Sequence, residues 1–138
     1  MKDNSIANKL NRKTLLSTIW IFVVLNYLYC DVLGLMDAGV LEQLLAGYAG
    51  DMQITQGFLL GAAILMEISM SMVLFSKILP YKANRIANII AGLITTIVQI
   101  ATLFVGTTTL YYIFFSIIEI AGTGTVFWLA IRWKNELQ

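Results

Sequence analysis

Four polar side chains that could bind a cation lie inside long apolar stretches of the chain. They are Asp31, Glu67, Gln99 and Glu119, one in each of four stretches. A charge at the centre of a bilayer costs about 2.5 to 3.5 kcal/mol on insertion scales, and no lysine, arginine or histidine lies deep enough to neutralise these acids. Carboxyls that share a site without a cation are expected to share a proton, which a bound cation can replace. We therefore predict an ion- or ligand-binding layer formed by these four residues and open to the outer surface.

Helical spacing groups the polar residues of three stretches on one face each. These faces are Ala63, Glu67 and Ser71 in the second stretch, Gly92, Thr95, Thr96, Gln99 and Thr102 in the third, and Ser116, Glu119, Gly122 and Thr123 in the fourth. In lipid, polar groups are expected to turn toward protein or water. We therefore predict that the polar face of the third stretch turns toward protein or water, and that Glu67, Gln99 and Glu119 point inward to the layer described above. The further residues predicted to line a pocket there are Asn26, Tyr27, Tyr29, Tyr112 and Ser116.

The elements that must position these residues follow from the composition. Of the 138 residues, 59% are hydrophobic and 12% are charged, which is too apolar for an ordinary soluble domain. Four stretches are long enough to cross the hydrocarbon core, at 14–36, 57–79, 83–106 and 109–133. None has the period-two alternation of a barrel strand. The sequence predicts an all-α fold, a single integral membrane four-helix bundle over residues 1–138. Since four helices enclose little space, a homo-oligomer is also expected.

The basic residues predict how the bundle is oriented in the membrane. All nine fall at the same ends of the predicted spans: Lys2, Lys9, Arg12, Lys13, Lys77, Lys82, Arg85, Arg132 and Lys134. The other side carries acids in the first loop and no basic residue. By the positive-inside rule, both termini are cytoplasmic and the protein is a multi-pass protein of the cell inner membrane.

The flanking segments suggest less regular structure. In the loop at 37–55, Val40, Leu41, Leu44, Leu45 and Tyr48 recur at helical spacing, which predicts a short amphipathic helix on the outer surface. That helix is either a mobile lid or a connector that covers the helix ends. Asp51 is predicted to cap the second span. Residues 1–12 are expected to be frayed or to form a short interfacial turn.

Several classes of site are excluded at this level. The chain has no histidine and one cysteine, Cys30, so the usual zinc and haem ligand sets are absent and no metal or cofactor is predicted. Cys30 is expected to be a small packing residue. We identify no catalytic residue and no nucleic-acid surface, because the basic residues are explained by membrane topology.

Three segments resemble a family of small bacterial four-helix membrane proteins of unknown function. They are NYLYCDVLGLMDAG at 26–39, KANRIANIIAG at 82–92 and YYIFFSIIEIAGT at 111–123. The resemblance implies the four-span topology and draws notice to Asp31, Glu67, Asn88 and Glu119. The architecture is also distantly similar to DoxX-like four-helix proteins, some of which are subunits of quinone-linked oxidoreductases.

Three functions are compatible with these features. The leading prediction is a cation- or proton-coupled transporter or an ion-conducting homo-oligomer that binds a small cation. The alternative is a membrane-embedded enzyme or accessory subunit that binds a lipophilic ligand such as a quinone or isoprenoid. In a third interpretation the chain is a structural partner of a larger complex, with Glu67 and Glu119 protonated and hydrogen-bonded between helices.

Overall fold

Four long helices, a short surface helix and a two-stranded hairpin make up the chain in the computed structural model, which describes residues 2–105 and 108–134, with side chains from Arg12 onward. The elements are α1 Lys2–Met36, α2 Ala38–Leu45, β1 Tyr48–Ala49, β2 Met52–Gln53, α3 Gln56–Ile78, α4 Tyr81–Thr102 and α5 Leu110–Ile131. Helices α1 (from Arg12), α3, α4 and α5 are long and apolar enough to cross a membrane. The predicted all-α fold is therefore confirmed, and the spans start and end within a few residues of their predicted bounds.

The outer loop differs from the prediction in two ways. Helix α2 ends at Leu45, because Gly47 and then Gly50 adopt positive φ angles of 85° and 58° that end the helix and form a hairpin. Tyr48 consequently pairs with Gln53 in an antiparallel ladder instead of extending α2. The cap predicted at Asp51 was also wrong, since Thr55 precedes α3 and its Oγ1 accepts a hydrogen bond from the Phe58 amide at 3.1 Å.

The N-terminal segment also departs from the prediction. Helix α1 begins at Lys2 and runs without a break to Met36. The segment predicted to be frayed or a separate turn is instead the first part of this helix.

The four long helices form a closed ring in the order α1, α3, α4 and α5. Helix α5 packs against both α1 and α4, and α1 packs against α3, whereas the α3–α4 seam is the least closely packed of the four. The α4–α5 contact is close because Gly92 has no side chain: a Cβ there would lie 3.1 Å from the Phe127 amide nitrogen. Next to it, the Thr96 hydroxyl donates a hydrogen bond to Thr123 Oγ1 at 2.7 Å.

The inner half of the bundle contains a buried apolar cluster. Its apolar cluster consists of Leu16, Trp20, Met72, Ala91, Val126 and Trp133. A buried hydrogen-bond network crosses this cluster, in which Asn88 Oδ1 accepts from Trp20 Nε1 at 2.8 Å and from Ser76 Oγ at 3.2 Å. Asn88 Nδ2 in turn donates to Asn84 Oδ1 at 2.7 Å. The side chains of this network are completely buried, so their polar groups bond to one another instead of to solvent.

The basic side chains cluster at this closed end. Lys13 Nζ donates to the Leu79 carbonyl at 2.6 Å, and Arg85 donates to the Ala130 and Ile131 carbonyls at 3.1 and 3.0 Å. These contacts place the basic residues of two spans, Lys13 of α1 and Arg85 of α4, at one end of the bundle. The cytoplasmic orientation of that end remains a prediction from the charge pattern.

Candidate ligand-binding cavity

The outer half of the bundle contains a cavity of about 200 Å³ lined by all four long helices. Its lining residues are Tyr27, Cys30 and Asp31 from α1, Ala62, Leu65, Met66 and Ser69 from α3, Thr95, Val98, Gln99 and Thr102 from α4, and Tyr112 and Glu119 from α5. Five of the residues predicted for the site therefore come together: Tyr27, Asp31, Gln99, Tyr112 and Glu119.

The two carboxyls of the cavity lie at different depths. Glu119 is nine residues into α5, about 13 Å from its outer end, and its side chain is only 1% exposed. Asp31 is five residues before the end of α1, about 8 Å from that end, and its side chain is exposed. Asp31 thus lies near the exposed end of the cavity and Glu119 at its buried end, and none of the described residues that line the cavity is basic.

Buried oxygen atoms without a protein partner are concentrated here. In the part of the chain that the structure describes, three such atoms occur: Glu119 Oε1, Ser69 Oγ and Thr109 Oγ1. Glu119 and Ser69 line the cavity, and Thr109 lines the space above it. Since buried polar atoms are nearly always hydrogen-bonded, these oxygens are the ones available to a water molecule or a ligand in the two spaces.

Gln99 is held in place at the cavity wall. Its Nε2 donates a hydrogen bond to Ser116 Oγ at 2.9 Å, and both side chains are buried. With the amide nitrogen engaged, the side-chain carbonyl oxygen is the acceptor left for a ligand. Ser116, predicted to line the pocket, instead lies behind Gln99 and orients it.

Glu67 does not reach the cavity. Its side chain is exposed on the outside of the bundle and accepts a hydrogen bond only from Ser71 Oγ, at 3.1 Å, among the described residues. Cavity-lining Ser69 is two residues further along, about 160° around the helix. The predicted inward face of α3 was therefore wrong, and the four-residue layer is reduced to Asp31, Gln99 and Glu119.

Two of the aromatic and polar residues predicted for the pocket also lie elsewhere. Asn26 donates a hydrogen bond to the Phe22 carbonyl of its own helix at 2.8 Å, and Tyr29 is 61% exposed. Neither residue lines the cavity. The 140° between Asn26 and Asp31 on a helix is consistent with this separation.

Sequence reasoning missed the α3 wall of the cavity. The buried residues of α3 are Ser69, Met72 and Ser76. Their spacing of three and four residues is that of a single helix face, so it could have indicated the inward side. The carboxyl at Glu67 suggested a different face. Cys30 was expected to be a packing residue, and it is buried, but it also contributes to the cavity wall.

A second space of about 330 Å³ lies above the cavity, and we call it the vestibule. The surface helix and hairpin cover it with Val40, Gln43, Leu44, Tyr48 and Met52, and Phe58, Tyr111 and Tyr112 contribute aromatic rings. Asp31, Thr102 and Tyr112 line both spaces. The vestibule and the cavity therefore adjoin each other at these three residues, with Asp31 between the vestibule and the deeper Glu119.

The described residues do not bring three metal-ligating side chains of the histidine, cysteine, aspartate or glutamate type together. A ligand in this cavity would instead meet two carboxyls, one amide and several hydroxyls.

Comparison with known proteins identifies the family alone. No curated protein and no solved structure gives a significant match, so the distant resemblance to DoxX-like proteins stays a prediction. The profile of DUF6326, described as a family of unknown function, matches residues 5–138. Because that match spans nearly the whole chain, this multi-pass membrane protein belongs to the DUF6326 family.

Proposed function

We propose that the cavity binds a monovalent cation, most favourably a small protonated amine, in exchange for a proton held between Asp31 and Glu119, and that the protein carries this cation across the membrane. The observation that supports the proposal is the buried, unpartnered Glu119 Oε1 in a cavity with a second carboxyl and no basic side chain. A carboxylate in such a place needs a proton or a cation.

The exchange conserves charge. With the cavity empty, one proton shared by the two carboxyls reduces their charge to a single negative unit. A monovalent cation that enters and displaces this proton leaves the total charge of the site unchanged. Binding of one cation should therefore release one proton, which is the elementary step of a proton-coupled exchanger.

The walls favour an organic cation over a hydrated metal ion. About 200 Å³ corresponds to only about six or seven water molecules at about 30 Å³ each. Leu65, Met66 and Val98 form apolar wall, and the rings of Tyr27 and Tyr112 can face a cation. A small alkylammonium ion would place its charge at the carboxyls and its alkyl groups on this surface.

The position of the cavity is compatible with exchange on one side at a time. The cavity adjoins the vestibule at Asp31, Thr102 and Tyr112, whereas the buried Trp20–Asn88 network and the apolar cluster lie in the other half of the bundle. A carrier would alternate this conformation with one in which the inner helix ends separate.

Proton release measures the exchange directly. Purified protein in weakly buffered detergent solution is titrated with methylammonium, sodium and potassium while a pH indicator is read. We expect wild type to release about one proton per chain with methylammonium and Glu119→Gln to release none. Glu42→Gln is the matched control, because Glu42 is exposed on α2 and lines neither space. Absence of proton release from wild type with all three cations would refute the proposal.

A second experiment tests transport itself. Methylammonium is added on one side of proteoliposomes that contain the protein, and acidification of that side is measured.

One observation favours a second function. The vestibule is rich in aromatic and apolar residues, and the cavity lies beside the loosely packed α3–α4 seam. Both features would suit the binding of a lipophilic ligand such as a quinone or isoprenoid. In that case the protein would be an enzyme or an accessory subunit. Native mass spectrometry from the membrane separates the functions: a stoichiometric lipid or quinone that is lost in Glu119→Gln favours the second, and its absence favours the first.

A further inference from the structure

The side of α3 that points away from the bundle carries a carboxyl that is not part of the cavity. We call this side the α3 outer face, and it consists of Leu60, Ile64, Glu67, Ser71, Leu74 and Ile78. The four leucines and isoleucines of this face are 53 to 63% exposed. Glu67 is also exposed and lies eleven residues from each end of α3, which places it about 16 Å from either end.

The membrane makes this arrangement unfavourable for an isolated chain. Glu67 would meet lipid at the middle of the bilayer with a single hydrogen bond from Ser71. A carboxyl at that depth, even when protonated, has further hydrogen-bonding capacity that lipid cannot satisfy. Basic side chains do not compensate, because those of the described spans lie near the helix ends, as Lys77 does on α3. A polar partner from outside the chain is therefore required.

A second copy of the chain fits this requirement by symmetry. Every copy has the same orientation in the membrane, so a two-fold axis along the membrane normal brings Glu67 to the same depth in both copies. Two carboxyls that share a proton supply one hydrogen-bond donor and one acceptor, so Glu67 of one copy can pair with Glu67 of the other. Gly57 and Gly61 are exposed near the outer end, and a Cβ at Gly61 would meet nothing within 4 Å. This leaves the backbone open to close approach.

We propose that the protein forms a homodimer through the α3 outer face, with Glu67 of one copy hydrogen-bonded to Glu67 of the other at the centre of the interface. The inference goes beyond the proposed function and does not depend on it. Ser69 lines the cavity from the opposite side of α3, about 160° from Glu67, so the dimer interface does not cover the cavity or the vestibule.

Subunit counting in reconstituted liposomes tests the dimer, because the purified chain is then the only protein present. Full-length protein with one fluorophore per chain is diluted into lipid, and single-molecule photobleaching steps are counted over a series of protein-to-lipid ratios. Wild type should show two-step bleaching that falls with dilution. Glu67→Leu should weaken association by about tenfold or more, and Glu67→Gln, which retains a donor and an acceptor, by less.

A pair of tryptophan variants controls for nonspecific effects. Ile64→Trp places bulk on the α3 outer face, where Ile64 is 53% exposed, and should reduce dimerisation. Ile117→Trp makes the same change on α5, where Ile117 is 62% exposed, and should have no effect. Single-step bleaching of wild type at every density, or equal effects of the two tryptophans, would overturn the proposal. Proton release by the same samples reports on the cavity separately.

Discussion

The indole Nε1 of Trp20 donates a hydrogen bond to Asn88 Oδ1 at 2.8 Å, and both side chains are completely buried. This contact joins α1 to α4 across the inner half of the bundle. The same oxygen accepts from Ser76 Oγ at 3.2 Å, so a third helix, α3, is tied to the pair. Three of the four spans therefore meet at one amide, directly below the cavity that contains Glu119.

Replacement of Asn88 by leucine should destabilise the bundle. The change leaves Trp20 Nε1 and the Ser76 hydroxyl without their acceptor, and an unsatisfied buried group costs about 1–3 kcal/mol. Thermal unfolding in detergent can be followed by tryptophan fluorescence, because Trp20 and Trp133 are buried in the folded protein. Asn26→Leu is the control, since Asn26 bonds only within α1, to Phe22. Equal losses in both variants would contradict the role given to Asn88.

Gly92 and Gly124 should respond differently to alanine. A Cβ at Gly92 would lie 3.1 Å from the backbone nitrogen of Phe127, whereas a Cβ at Gly124 would have nothing within 4 Å. Backbone cannot move aside as a flexible side chain can, so Gly92→Ala should cost about 1–3 kcal/mol by overpacking. Gly124→Ala should leave stability unchanged or raise it slightly, because alanine is the better helix former. The same assay measures the unfolding temperatures of the two variants. Similar unfolding temperatures would show that α4 and α5 can move apart without a loss of stability.

At the contact between α1 and α5, we expect one substitution to compensate for the destabilising effect of another. A Cβ at Gly122 would approach Val23 Cγ2 to 2.7 Å, which is too close without a shift. Gly122→Ala should therefore lower the unfolding temperature. Val23→Ala creates space at the same point, so the double variant should be more stable than the sum of the two single changes implies. Strict additivity would mean that the two helices do not meet at these residues.

The four helices, and the inward faces of α4 and α5, could be predicted from the sequence because few backbone conformations are stable in lipid. A span in hydrocarbon must satisfy its own backbone, so length and apolarity predict the helices. On α5, Ser116, Glu119 and Thr123 recur at spacings of three and four residues, and all three are buried. On α4, Thr95 and Gln99 behave in the same way.

The same rule gave the wrong rotation for α3, because the spacing of Ser69, Met72 and Ser76 competed with the carboxyl of Glu67. This helix is apolar on all sides, so its few polar residues were the only guide, and they lie on both faces: Ser69 and Ser76 are buried, whereas Glu67 is exposed. A carboxyl in a membrane helix needs a partner, but the partner can belong to another chain. The β-hairpin was missed for a different reason, because it depends on the backbone angles of Gly47 and Gly50, which periodicity does not reveal.

The charge preference of the cavity can be measured at Cys30, which lines it beside Asp31 and Glu119. A positively charged methanethiosulfonate should modify this thiol about tenfold faster than a negatively charged one of similar size. That ratio corresponds to about 1.4 kcal/mol of electrostatic attraction, which a net negative charge several ångströms away supplies at intermediate dielectric. Glu119→Gln should reduce the ratio, and Glu42→Gln, outside both spaces, should preserve it. Equal rates for the two reagents on wild type would mean that the acids carry no net negative charge, and the cavity would then be a site for a neutral lipophilic ligand instead of a cation.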